Sequence, residues 1–191
     1  MRPTALEIEE KRDTWRAKLF YLFLGTVVGL LVQEYLDFQR QLRENTQSFV
    51  VTFNGAYYGD HRDNLHAFFV SPEAREKTSG ALTRQEYADW ITNEVRQNSD
   101  LSASVFAVSE FYRTLNSCAD DGRCSRASIE NAFEPYAKIF YGVFYPALRD
   151  ADCDLGFPDM EAATAQIAQL NASPDDRCSS ADPYSSPSTP S

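Results

Sequence analysis

Residues 19–32 read LFYLFLGTVVGLLV, fourteen positions without a charge or a strongly polar side chain. The hydrocarbon core of a bilayer, about 30 Å thick, takes about 20 helical residues. The flanks make up the difference. Trp15 and Tyr35 suit the two interfaces, Lys18 can reach back to the headgroups, and Leu36 extends the apolar surface. Trp15 to Leu36 would span about 33 Å as a helix. A transmembrane helix over 19–36 is therefore expected. The competing reading is a cleaved signal peptide, whose apolar region has a similar length. Against it, the leader carries Glu7, Glu9, Glu10 and Asp13, and the residues after the run, Gln33-Glu34-Tyr35-Leu36-Asp37, hold no small-x-small cleavage site. The expectation is an anchor that stays attached.

Lys and Arg set the orientation of such a span. Arg2, Lys11, Arg12, Arg16 and Lys18 precede it, while only Arg40 and Arg43 follow closely. Residues 1–18 are expected to form a cytoplasmic stub. The rest of the chain should then lie on the periplasmic or an equivalent side of the inner (cytoplasmic) membrane. Gly25 and Gly29 leave one face of the span without side chains, a spacing that lets another helix approach. They are the expected helix-packing positions, toward another membrane protein or a second copy.

The four cysteines, Cys118, Cys124, Cys153 and Cys178, all fall beyond the span. An even number in an oxidising compartment reads as two disulfides, and Cys118–Cys124 with Cys153–Cys178 is the favoured pairing of the three possible. Cys118 and Cys124 bracket Ala-Asp-Asp-Gly-Arg, a turn with Gly122 free to adopt a left-handed conformation. No short Cys-x-x-Cys interval is present, which argues against a zinc knuckle and covalent haem.

Beyond the membrane, Tyr35, Phe38, Leu42, Asn45 and Phe49 recur at spacings of three and four, one face of a continuing helix. A stalk over 37–58 is expected, ending near Gly55, Gly59 and Asp60. Its stripe has two readings, packing on the chain's own domain or pairing with a partner helix. An acidic helical domain over 59–178 follows. Asn64–Val70 reads as a short helix and Ser71–Gly80 as a polar loop. Thr83 with Glu86 reads as a capping box opening a helix that carries Tyr87, Trp90, Ile91 and Val95. Asp100 is the expected cap of the next helix, with its stripe at Leu101, Val105, Val108, Tyr112 and Leu115. Ile129, Phe133, Tyr136, Phe140, Val143 and Ala147 mark another, which Pro135 should kink or restart. That helix has a second apolar set, Tyr141, Phe144, Tyr145 and Leu148, implying either a central position or a docking patch. A last helix is expected over Asp159–Leu170, then a disordered tail over 179–191, where Ser and Pro dominate. The fold class is all-α: a long N-terminal transmembrane and stalk helix, then a small disulfide-stabilised bundle.

The Glu110–Pro146 segment combines an aromatic Glu-Phe-Tyr helix, a short Gly-containing turn and a second helix ending in Phe-Tyr-Pro. It resembles uncharacterised bacterial membrane-anchored proteins with one N-terminal transmembrane helix and a small helical domain. The resemblance implies that layout and supplies no functional residue, since no activity is assigned to the group.

A net charge of −10 repels phosphate backbones, so nucleic acid is not expected as a partner. Asp150, Asp152, Asp154 and Glu161 fall at EF-hand-like positions 1, 3, 5 and 12, making them the candidate Ca²⁺ ligands. The glycine falls one place late, at Gly156, and the competing reading is a solvated acidic loop. His61 and His66, with Asp63 between them, are the other titratable cluster, but a five-residue spacing suits no shared helix face. No catalytic residue and no bound cofactor is expected, and the sequence holds no nucleophile elbow, P-loop, dinucleotide fingerprint or His-Glu-x-x-His motif. Three functions remain: an accessory or structural subunit of a larger membrane complex, a ligand-binding sensor ectodomain served by a separate effector, and an enzyme. The first is the expectation.

Overall fold

Long apolar-patterned runs separated by cap residues become helices along the whole described chain. The computed structural model describes residues 5–80, 82–154 and 159–170, with the backbone alone at 5–14, 16, 17, 19 and 154. Among these there are seven helices and no strand: α1 (Ala5–Phe53), α2 (Ala56–Val70), α3 (Pro72–Thr78), α4 (Arg84–Gln97), α5 (Ser99–Asp120), α6 (Arg126–Asp154) and α7 (Met160–Ile167). The fold is all-α as expected. The tail over 179–191, Cys178 and residues 155–158 of the acidic loop lie outside the described residues. Two compact units divide the chain, Met1–Leu42 and Arg43–Ser191, so residues 43–53 of the expected stalk belong with the domain.

In the first unit, α1 is long and apolar enough near the N-terminus to cross a membrane. Every side chain from Phe20 to Phe38 is exposed, with Tyr21 at 70% and Tyr35 at 61%. Inside the apolar run the Thr26 hydroxyl donates to the carbonyl of Leu22 at 2.9 Å. That bond satisfies the threonine donor within its own helix, as hydrocarbon surroundings require.

In the second unit, α5 is central and packs against α2, α4, α6 and α7. Its stripe of Leu101, Val105, Val108, Tyr112 and Leu115 is fully buried. The α4 capping box forms as read. Thr83 Oγ1 accepts from the Glu86 amide at 3.3 Å, and the Glu86 carboxylate accepts from the Thr83 amide at 2.7 Å. Those bonds from Thr83 hold the Glu86 carboxyl below its ordinary value. The α5 cap differs from expectation: Asn98, in extended conformation, accepts from the amides of Asp100 and Leu101 at 3.1 and 3.0 Å. Asp100 already lies inside the first turn, where its charge suits the helix dipole.

Two further expectations are corrected. The polar stretch after Val70 holds α3, because Ser71 accepts from the Ala74 amide and Pro72 occupies the first helical position. Pro135 does not interrupt α6, which runs 29 residues through both Pro135 and Pro146. An interior proline costs about 3 kcal/mol or more. Burial on two faces offsets it: Ile129, Phe133, Ala137 and Phe140 on one, Tyr141, Phe144 and Leu148 on the other. The second apolar set of α6 thus reflects a central position, with α4 and α7 both packed on this helix.

The α5–α6 turn is closed by the Cys118–Cys124 disulfide, with Cα atoms 5.3 Å apart. Gly122 takes the left-handed conformation at φ +67°, and the Cys118 carbonyl accepts from the amides of Arg123 and Cys124 at 3.0 Å. Among the described residues no cysteine is free. The partner expected for Cys153, Cys178, lies outside the described residues.

Candidate functional site

The helix face that carries Asn45 and Phe49 extends one turn further, to Phe53, the last residue of α1. Thr46, Phe49, Val50 and Phe53 repeat at helical spacing and turn toward the domain. Thr46 is buried, and its hydroxyl accepts from the Ser125 amide at 3.1 Å. The Asn45 carboxamide donates to the Arg123 carbonyl at 2.7 Å. Both partners belong to the turn region that the disulfide closes. The sidechain stripe therefore has a divided fate. Tyr35 and Phe38 are exposed, whereas Asn45 and Phe49 serve the chain's own domain.

Phe53 is 5% exposed and enters an aromatic socket. Its ring centroid lies 4.7 Å from Phe111 and 6.3 Å from Tyr112 on α5, 5.5 Å from both Phe133 and Tyr136 on α6, and 5.9 Å from Tyr58 on α2. The Arg62 guanidinium sits 4.9 Å from the same centroid, a cation–π contact, and donates to Asn54 at 3.1 Å. Burial pushes the Tyr112 phenol well up from its ordinary value, the Tyr136 phenol adds to this, and the Arg62 charge pulls it back. Burial also raises Tyr136, again opposed by Arg62. Sequence periodicity could have reached Phe53 by carrying the stripe one turn on. Nothing local in the sequence marks Arg62.

The described members of the candidate calcium set each hold a bond of another kind. Asp150 accepts from Arg96 Nε and Nη2 at 2.9 and 2.5 Å, tying α6 to α4. Asp152 accepts from the amides of Met160 and Glu161 at 3.1 Å, so a carboxylate on α6 caps α7. Burial raises the Asp152 carboxyl, the two amide bonds oppose this, and the charges of Glu161 and Asp159 add to the rise. Glu161 is 1% exposed and accepts from the Tyr141 hydroxyl at 2.9 Å. The Asp154 side chain lies outside the described ones. Among the described residues, no group of three or more His, Cys, Asp or Glu is placed to hold a metal ion.

His61 packs its ring edge-on against Tyr57, with centroids 4.7 Å apart, and meets Ser104 of α5, with Nδ1 3.1 Å from Oγ. Ser104 is fully buried and donates its proton to the Asp100 carbonyl at 2.8 Å, which leaves its oxygen to accept. His66 and Asp63 are exposed. A cavity of about 330 Å³ near the start of α5 is lined by Asn64, Phe68, Glu73, Glu94 and Asp100, among others. Glu73 and Asp100 occupy the first turns of α3 and α5, where helix dipoles favour carboxylates. Gly25 and Gly29 face open space, with nothing within 4 Å of an added Cβ.

No protein-family model matches the chain, and neither does any curated protein or solved structure.

Proposed function

We propose that this chain is a single-pass subunit of the inner (cytoplasmic) membrane, with its N-terminus in the cytoplasm. Its helical domain then stands on the periplasmic or an equivalent side, where it serves as an accessory or structural part of a larger membrane complex. The observation that carries the reading is the contrast along α1. From Asn45 to Phe53 the apolar face is folded onto the chain's own domain, but Tyr35, Leu36 and Phe38 remain exposed beyond the fourteen-residue run. Exposed aromatic residues next to a span suit either the membrane interface or a neighbouring helix. The open face at Gly25 and Gly29 favours the neighbouring helix. The disulfide supports placement in an oxidising compartment.

Extraction in mild detergent should bring the protein out in an assembly larger than one chain. Replacing both glycines by isoleucine (Gly25→Ile with Gly29→Ile), combined with Phe38→Glu, should release it. Recovery of the wild-type chain as a free monomer under the same conditions would overturn the proposal.

A further inference from the structure

We infer that the cavity lined by α2, α3, α4 and the start of α5 is a binding site for a small aliphatic diamine. Room is present: the cavity measures about 330 Å³, the scale of a small-molecule pocket. Its lining is of two kinds. Phe68 and Leu101 supply apolar surface, and the Phe68 ring is held by stacking on Trp90, with centroids 5.8 Å apart and 19° between the planes. Glu73, Glu94 and Asp100 bring carboxylates from three helices, and no Lys or Arg lines the space. Elsewhere in the domain the carboxylates of Glu110, Asp120, Asp121, Glu134 and Asp150 each meet a basic side chain. Those of Glu73, Glu94 and Asp100 meet none among the described residues.

Helix dipoles account for Glu73 and Asp100 in their first turns, but not for Glu94. That residue sits in the last turn of α4, where the negative end of the helix disfavours a carboxylate. It is also half-buried, so its charge is screened less than an exposed one. Arg96, in the same turn, is engaged by Asp150. A cation in the cavity removes the conflict. Its kind follows from the lining. Among the described residues no group of three or more His, Cys, Asp or Glu is placed to hold a metal ion, so the three carboxylates are not gathered round one point. Separate charges beside apolar surface match a cation of the same build, two ammonium groups joined by methylenes. The methylenes rest on Phe68 and Leu101, and the ring face also attracts an ammonium. Asn64 donates Nδ2 to Ser104 Oγ at 3.4 Å, which leaves its carbonyl oxygen to accept beside the carboxylates. Each ammonium brings three donors to these acceptors.

The test is thermal unfolding of the full chain in mild detergent at constant ionic strength, with putrescine, butylamine or magnesium chloride added in separate arms. Binding to the native state alone raises Tm with ligand concentration. Putrescine should raise Tm by a few degrees, and butylamine and magnesium by much less. Glu94→Gln, nearly the same in shape, should fold and abolish the putrescine rise. Without any amine it should match or exceed the wild-type Tm, because the clash with the α4 dipole is gone. Glu134→Gln, on α6 and away from the cavity lining, should keep the rise. The site is overturned if putrescine leaves Tm unchanged, if magnesium or butylamine raises it equally, or if the rise survives in Glu94→Gln. The last two outcomes would reflect general screening of an acidic surface.

Discussion

Phe53→Ala is expected to lower the unfolding free energy by about 3–5 kcal/mol, the usual cost of emptying a buried phenylalanine site. The position justifies the upper part of that range. Phe53 is the end of α1 and touches rings from α2, α5 and α6, so its removal opens a hole where four helices meet. It also takes the aromatic face from under Arg62 and leaves that guanidinium more exposed to water. The surrounding rings are held by other packing and can close over only part of the space. Phe53→Leu keeps most of the volume and should cost far less, about 1.5 kcal/mol or below. Urea unfolding in mild detergent measures both variants. An alanine variant as stable as the wild type would mean that the socket is not part of the cooperative core.

Replacing both Cys118 and Cys124 by serine should cost about 2–3 kcal/mol, as expected for a bridge closing a short loop. The bridge does more than join α5 to α6. Arg123, inside the loop, and Ser125, just after it, receive or give the bonds from Asn45 and Thr46 near the end of α1. Loosening the turn should therefore raise amide exchange at Ser125 and speed proteolysis between residues 118 and 126, while α4 and α7 keep their protection. Paired serines are preferable to a reductant, because Cys153 also lacks a free thiol and would respond. Equal urea midpoints for the variant and the wild type would sink this reading.

The parts of the fold that were legible in the sequence are those set by local chemistry. The Thr83–Glu86 box depends on two residues three apart, and the α5 stripe on a period that one helix satisfies alone. The Cys118–Cys124 turn needed only a short loop with a glycine in it. What was misread depended on weighing a local penalty against distant packing. Pro135 argues for a break, but α6 buries two faces against α4, α5 and α7, and that burial outweighs the lost bond. Gly59 argued for a stop yet sits within α2. The helix α3 was missed for a different reason: Ser71-Pro72-Glu73 is a local start signal, hidden by its polar surroundings. Of the candidate sites, the acidic residues were visible but their partners were not. Arg96 reaches Asp150 from 54 positions away, and Tyr141 reaches Glu161 across the α6–α7 packing. The socket was illegible because its rings and its arginine come from four separate helices.

The central claim is that the apolar surface of α1 between Leu19 and Leu36 is covered by lipid and stays attached to the domain. Washing membranes from cells that make the full-length chain with alkaline carbonate tests it most directly. An integral span keeps the intact 191-residue chain in the pellet. Release of the chain into the wash, or a mature product lacking the first 32 residues, would contradict it.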